Sequence, residues 1–328
     1  MECAGPLVSV VIPTRDRPHL VVRAVHSALA QTLDANEVIV VTDGADEATL
    51  QALRQIDDAR LKVRTLSPRS GVGDVMNAGV NEARGRWIAL LDDDDEWLPG
   101  KLELQLHTAK QSRHLYPIIS CRLIARSGAW DHIWPRRLPE PNESLSEYLF
   151  CRTTPFWGEG LVQSSTLFAS KELFRRVAFR SGLRRHLDID WLLRASAVEG
   201  AGVEFVPQPQ PLVIWHIEEN RSRVSTASDW RYSLSWIREN RHLLTPRAYA
   251  SFLMTMTSGG AARKRDWKAF LPLLLEACRH GRPSAVDALL YLGIWLIPRR
   301  VRSWGAMVFE KRHRLWVLRR PEATPLSG

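Results

Sequence analysis

A chain of 328 residues, 45% hydrophobic and 25% charged, has the composition of a folded globular protein with room for one large domain or two ordinary ones. Its four cysteines, Cys3, Cys121, Cys151 and Cys278, form no CxxC pair, which argues against a disulfide framework or a zinc site and for a reducing, cytoplasmic compartment. The net charge of +9 suits an acidic partner, while no stretch reaches the roughly 18 apolar residues of a membrane span, and "MECAGPLVSVVIP" lacks the basic start and long apolar run of a signal peptide.

The first hundred residues alternate between two periodicities. Leu7–Pro13 ("LVSVVIP") reads as a strand, and His19–Gln31 has helical apolar spacing. Glu37–Gly44 is a second strand, followed by a helix through "EATLQALRQI". Leu61–Ser67 is a third strand, Gly73–Ala83 a third helix, and "RWIALLDDDD" a fourth strand. Near-continuously apolar strands alternating with helices imply a mostly parallel sheet covered on both faces. Ligands of such sheets bind at the carboxyl ends of the strands. Those ends are "IPTRDRP", "VVTDGAD", "TLSPRSG" and "LLDDDDEW". Neither GxGxxG nor GxxxxGK[ST] follows the first strand, so a dinucleotide fingerprint and a P-loop are not supported.

The fourth end crowds Asp92, Asp93, Asp94 and Asp95 together, before Pro99 at an expected first helical position and the apolar Leu102, Leu104 and Leu106. Two carboxylates about 6 Å apart repel by roughly 3 kcal/mol at an effective dielectric of about 20. A divalent cation with oxygen ligands would offset this; the alternative is a solvated acidic turn. From Pro117 to Phe179 the pattern is irregular, with a short strand at "IISCRLIA". Leu187–Gly200 is helical, Val203–Ile217 strand-like, and from Asp229 onward the chain reads as helices separated by Pro and Gly. "AVDALLYLGIWLIP" is the most apolar run, interrupted by Asp287. From Arg299 the tail combines many Lys and Arg with Trp304, Phe309 and Trp316. Such a mixture suits the anionic inner face of a membrane. With no nucleic-acid motif beside it, a nucleic-acid partner ranks lower, and a basic solvated helical end is the third reading.

Four motifs in order resemble the family 2 inverting glycosyltransferases, with the GT-A (nucleotide-diphospho-sugar transferase) fold: "VSVVIPTRDRPHLVVRAVHSALAQT", "EVIVVTDGADEAT", "MNAGVNEARGRWIALLDDDDEWLPGKL" and "HLDIDWLLR". The resemblance covers roughly Val8 to Ser225. It implies a catalytic domain over residues 1–225, with a nucleotide-binding half to 110 and an acceptor half from 111, then a helical, basic extension over 226–328. It also implies transfer of a hexose from a nucleotide-diphosphate sugar to a hydroxyl of a glycan or lipid-linked acceptor, with Mg²⁺ or Mn²⁺, in cell-surface polysaccharide or glycolipid assembly.

By the same resemblance Pro13, Thr14 and Arg15 face the nucleotide, and Asp43 contacts its base. Thr42 stands where relatives carry a further acid. Asp92 and Asp94 match the Asp-X-Asp pair, with Asp94 the direct metal ligand and Asp93 near the ribose. Asp188 matches the catalytic base, Asp190 and Trp191 its companions, and His216 lies where relatives place polar residues near the pyrophosphate, a candidate metal contact.

The chemistry is consistent with these roles. Carboxylate-held metal stabilises a diphosphate leaving group, and inversion needs one carboxylate to take the acceptor proton. Each residue also has a plainer reading. Asp43 could cap the next helix, and Asp188 and Asp190 could be first-turn acids favoured by the helix dipole. His216 could be a hydrogen-bonded strand histidine, and Trp191 and Trp215 core or cleft wall. A non-catalytic sugar- or polymer-binding relative with the same fold is the rival function, although it would need no base at Asp188.

Overall fold

The computed structural model describes residues 6–34, 36–127, 130–154, 158–217, 229–298, 301–302, 305 and 317–319. In chain order these form β1 (Val8–Thr14), α1 (Pro18–Leu29), β2 (Asn36–Asp43), α2 (Glu47–Arg54), β3 (Leu61–Leu66), α3 (Val72–Glu82), β4 (Trp87–Leu90), β5 (Asp95–Trp97) and α4 (Lys101–Gln111). There follow β6 (Tyr116–Ser120), β7 (Leu123–Ser127), β8 (Trp130–Trp134), α5 (Leu145–Phe150), β9 (Phe168–Ser170), α6 (Lys171–Arg176), α7 (Leu187–Ser196), β10 (Ala201–Phe205) and β11 (Val213–His216). The rest comprises α8 (Trp230–Glu239), α9 (Pro246–Phe252), a π turn at Leu253–Thr257, α10 (Ser258–Arg263), α11 (Phe270–His280), α12 (Ala285–Leu296) and β12 (Val317–Arg319).

The main sheet has the order β10-β6-β9-β4-β1-β2-β3, parallel except for β9. Its two-residue period sorts the core. Val8, Val10 and Ile12 of β1 pack with Val21, Ala24 and Val25 of α1, while Val11, Ile39 and Val41 pack with Val75, Met76 and Val80 of α3. The α3 helix lies so close to β1 that a Cβ at Gly79 would meet Val11 Cγ1 at 2.4 Å. At the amino end of the strands, Glu37 is buried and accepts hydrogen bonds from Ser9 Oγ, Lys62 Nζ and the Arg84 amide.

Several local expectations shift. The β3 strand is a partly exposed edge, not a covered apolar strand, because nothing among the described residues pairs beyond it. The fourth strand ends at Leu90, so the aspartates form the turn into β5. Pro99 precedes the helix, which starts at Lys101 after a left-handed Gly100. "IISCRLIA" and Val203–Ile217 each split into two strands in different sheets, broken at Arg122 and at the Pro-rich 207–211 segment.

A second sheet, β12-β8-β7-β11-β5, carries the acidic turn on one edge. Its far edge is β12, antiparallel to β8 (Val317 opposite His132). The expected tail is therefore not helical throughout: the β12 backbone pairs along β8, which has no other partner on that side among the described residues. Residues 218–228, which contain the expected boundary at 225, lie outside the described residues, as does most of the basic tail.

The α8–α12 helices bury Trp236, Phe252, Leu273 and Trp295 together with Phe150 of α5 and Leu193 of α7. The helical region is therefore packed against the very helix whose first turn carries Asp188.

Candidate functional site

The carboxyl ends of β1, β2 and β4 and the start of α7 converge on the four aspartates. Thr14, buried at the end of β1, donates its hydroxyl to Asp93 Oδ2 at 2.7 Å. Arg17 Nη1 reaches Asp93 at 2.9 Å and Asp94 at 3.4 Å, and Arg23 Nη2 holds the Asp94 carbonyl at 2.8 Å. From the other side Gln163 Nε2 donates to Asp92 (3.1 Å) and Asp95 (2.7 Å). Ser165 Oγ donates to Asp95 at 2.7 Å and accepts the Asp92 amide at 3.0 Å. Asp95 is fully buried beneath the turn, whereas Asp92 and Asp94 are partly buried.

Among the described residues, carboxylate oxygens of Asp92, Asp94 and Asp95 lie within 4.8 Å of one another. Burial, then the charges of Asp95, Asp94, Asp188 and Asp93, pushes the Asp92 carboxyl well above the usual carboxylate range. Burial also raises Asp93, against the opposing pull of Arg17. An all-oxygen set this compact fits a hard divalent cation. Asp188, half-buried at the second position of α7, is near enough for its charge to be felt at Asp92. Its own carboxyl is raised by burial, moderated by the Ile189 amide at 2.9 Å.

The remaining expected residues sort themselves by contact. Pro13 is buried in β1, while Arg15 is exposed and points its guanidinium at Asp43, 3.7 Å away. Asp43 accepts the Ser70 amide at 2.8 Å. The helix after it is capped by Asp46, not Asp43. His216 hydrogen-bonds Glu96 at 2.6 Å, and that bond is the main cause of the lowered Glu96 pKa.

Asp190 is fully buried and bridges Arg180 (3.0 Å), Arg194 (2.8 Å) and Trp236 Nε1 (3.1 Å). Trp191 is core, stacked on Phe174 at 4.3 Å, and Trp215 packs edge-on to Trp134. His186, immediately before α7, adopts φ +66°, stacks on Trp236 and bonds Ser233 Oγ at 2.9 Å. Burial drives it down to about 3. Asp188 is thus presented by a helix start locked from behind.

Sequence reasoning did not single out Arg17, Arg23, Gln163 or Ser165. Arg17 lies inside the quoted "IPTRDRP", two residues past Arg15. Gln163 and Ser165 carry no local signal.

A parallel sheet whose carboxyl edge gathers acids between two halves defines the GT-A class of α/β folds. The sequence model of "Glycosyl transferase family 2" matches residues 9–182, and the chain belongs to that family. It is 30% identical over 228 residues to the succinoglycan biosynthesis protein ExoO of Rhizobium meliloti, an alignment covering 65% of this chain and 62% of ExoO. It is 28% identical to the amylovoran biosynthesis glycosyltransferase AmsB of Erwinia amylovora, covering 73% of this chain and 79% of AmsB.

Among solved structures, S. aureus TarS 1-349 in complex with UDP-GlcNAc superposes with a TM-score of 0.55 at 16% identity, over 94% of this chain and 91% of that one. The mannosyltransferase PcManGT from Pyrobaculum calidifontis, in complex with GDP-Man and Mn²⁺, gives 0.55 at 19%, over 96% and 88%.

Proposed function

We propose that the chain is a divalent-metal-dependent, inverting glycosyltransferase. It moves a hexose from a nucleotide-diphosphate sugar to a hydroxyl of a glycan or lipid-linked acceptor, on the cytoplasmic side of cell-surface polysaccharide or glycolipid assembly. The observation that carries this reading is the three-carboxylate group of Asp92, Asp94 and Asp95 with Asp188 within electrostatic reach. Relatives named for succinoglycan and amylovoran biosynthesis support the product class. Folds recorded with UDP-GlcNAc and with GDP-Man and Mn²⁺ support the donor class and the metal.

In this reading Asp94, with Asp92 and Asp95 beside it, holds Mg²⁺ or Mn²⁺, which supplies Lewis-acid stabilisation to the departing diphosphate. Thr14 and Arg17 hold Asp93 where the ribose would lie. Pro13, Arg15 and Asp43 line the nucleotide end. Asp188 takes the proton of the attacking hydroxyl, and its raised pKa makes it the stronger base. One displacement suffices, so no second nucleophilic carboxylate is required. Residues 1–225 carry this chemistry, and the helices of 226–328 steady α7 through the His186–Trp236 stack.

The test is a thermal-shift screen of nucleotide sugars with and without Mg²⁺ or Mn²⁺. A ligand at 100 times its dissociation constant adds about 2.7 kcal/mol. One donor is expected to stabilise the protein only with metal. No metal-dependent shift with any nucleotide sugar defeats the reading.

A further inference from the structure

The α12 helix is built against its own surroundings. On one side Asp287, Tyr291 and Trp295, spaced four apart, are buried. Asp287 caps the helix through Ser284 and accepts from Ser251 at 2.6 Å, so the helix's single charge points inward. The opposite side, Ala285, Ala288, Leu289, Leu292 and Leu296, faces outward without one polar side chain. Leu289 is 70% exposed and Leu296 65%. A helix apolar all round belongs in a nonaqueous environment, and water covers this face only at a cost. The apolar surface continues past the helix end through exposed Ile297 and Val301. It also reaches the turn before α11, where Trp267, 55% exposed, packs on Trp295 at 5.2 Å, and Leu271 is exposed in the first turn of α11.

Charge selects the occupant. Lys268, next to Trp267 in the chain, and Arg279 and Arg282, on the stretch that leads into α12, are exposed. The acids of the same stretch are taken up internally: Asp266 by Arg231 (2.8 Å), Glu276 by Arg238, and Asp287 by the cap. The rim is therefore cationic. A second copy meeting this face with its own would oppose like charges, whereas an anionic lipid surface satisfies the cations and the leucines together. At about 1.5 Å per residue, twelve residues span about 18 Å, too short to cross a hydrocarbon core of about 30 Å but suited to lying along its boundary. No described helix is long and apolar enough to cross a membrane.

We propose that the outward face of α12, with Trp267 and Leu271 beside it, docks the protein on an anionic membrane surface. This stands independently of the transferase reading.

The experiment is flotation of the full chain with phosphatidylglycerol–phosphatidylcholine vesicles and with phosphatidylcholine alone, at low and high salt. It compares the wild type with the triple variant Leu289→Ser, Leu292→Ser, Leu296→Ser and with the triple variant Lys268→Ser, Arg279→Ser, Arg282→Ser. Both variants alter outward side chains only, and their unfolding midpoints and solution masses are measured alongside. The wild type is expected to bind the anionic vesicles, to lose binding in high salt, and to ignore the neutral ones. Each variant is expected to bind at least about tenfold less while folded, since three leucines or three cations near the surface are removed. Equal binding to both lipids, or none, overturns the proposal. So does undiminished binding by the leucine variant. A wild type that is dimeric where the leucine variant is monomeric assigns the face to a second copy and overturns it too.

Discussion

Replacing Asp94 by Asn separates the cost of the acidic group from its use. Its oxygens lie within 4.8 Å of those of Asp92 and Asp95, so each ionised pair repels by about 3 to 4 kcal/mol at an effective dielectric of about 20. Burial and its neighbours already favour the protonated form of Asp92, which leaves the Asp94–Asp95 pair as the main repulsion that Asn removes. Against this stands the loss of the Arg17 contact at 3.4 Å, worth about 1 kcal/mol for a partly exposed pair. The metal-free protein is therefore expected to gain about 2 kcal/mol, or roughly 4 °C in melting temperature.

The same substitution removes a ligand, so metal-dependent stabilisation by the nucleotide sugar is expected to vanish. Both are read in one differential scanning fluorimetry series with chelator, with metal, and with metal plus donor. A metal-free melting temperature below wild type would refute the electrostatic argument. A wild-type metal-dependent shift would refute the assignment of Asp94 as ligand.

Asp188→Asn keeps size and loses the proton acceptor; turnover is expected to fall by a factor of about 10² to 10⁴ with donor affinity unchanged by calorimetry, and lost donor affinity would make Asp188 a binding residue. Glu37→Gln, at the far end of the sheet, is expected to destabilise the protein by about 2 to 3 kcal/mol in urea titrations at pH 7 without affecting donor binding. Although burial opposes it, hydrogen bonds from Lys62, Ser9 and Arg84 hold the Glu37 carboxyl down at about 2. Its contribution is therefore complete above the unfolded value of about 4.5 and lost as pH falls toward about 2; a pH-independent deficit would refute this. His186 titrates at about 3 when folded, so below about 6.5 the unfolded chain binds the extra proton and stability drains away as pH falls. Between pH 7 and pH 5 this amounts to about 2 kcal/mol, and His186→Asn, which tolerates the left-handed backbone, is expected to flatten that slope.

The strand and helix order up to β4 is legible because β1, β2 and β4 are continuous apolar runs and the helices between them have a stripe facing the sheet. The acidic turn is legible as four adjacent aspartates, and the family resemblance to GT-A transferases is borne out. What escapes is whatever depends on distant pairing. The second sheet is made of strands of three to five residues, whose sequences have no room for a period and whose partners, the β7–β8 hairpin apart, lie far along the chain. Gln163 and Ser165 reach the acids across about seventy residues of chain, and neither residue type is distinctive. Arg17 shows a different limit: a basic residue in a polar loop has no preferred partner until the fold brings Asp93 to it.

The pairing of β12 with β8 gives the chain's final stretch a share in the framework of the site. One continuous hydrogen-bonded ribbon runs from Val317 through β8, β7 and β11 to the strand that begins at Asp95. A shortened form stopping after α12 would strip β8 of its neighbour and leave an adhesive border on the sheet that bears the acids. Such a fragment would be prone to self-association, and its weakened activity would say little about membranes or acceptors. Tags and fusions therefore belong beyond residue 319, with enough slack for the strand to close.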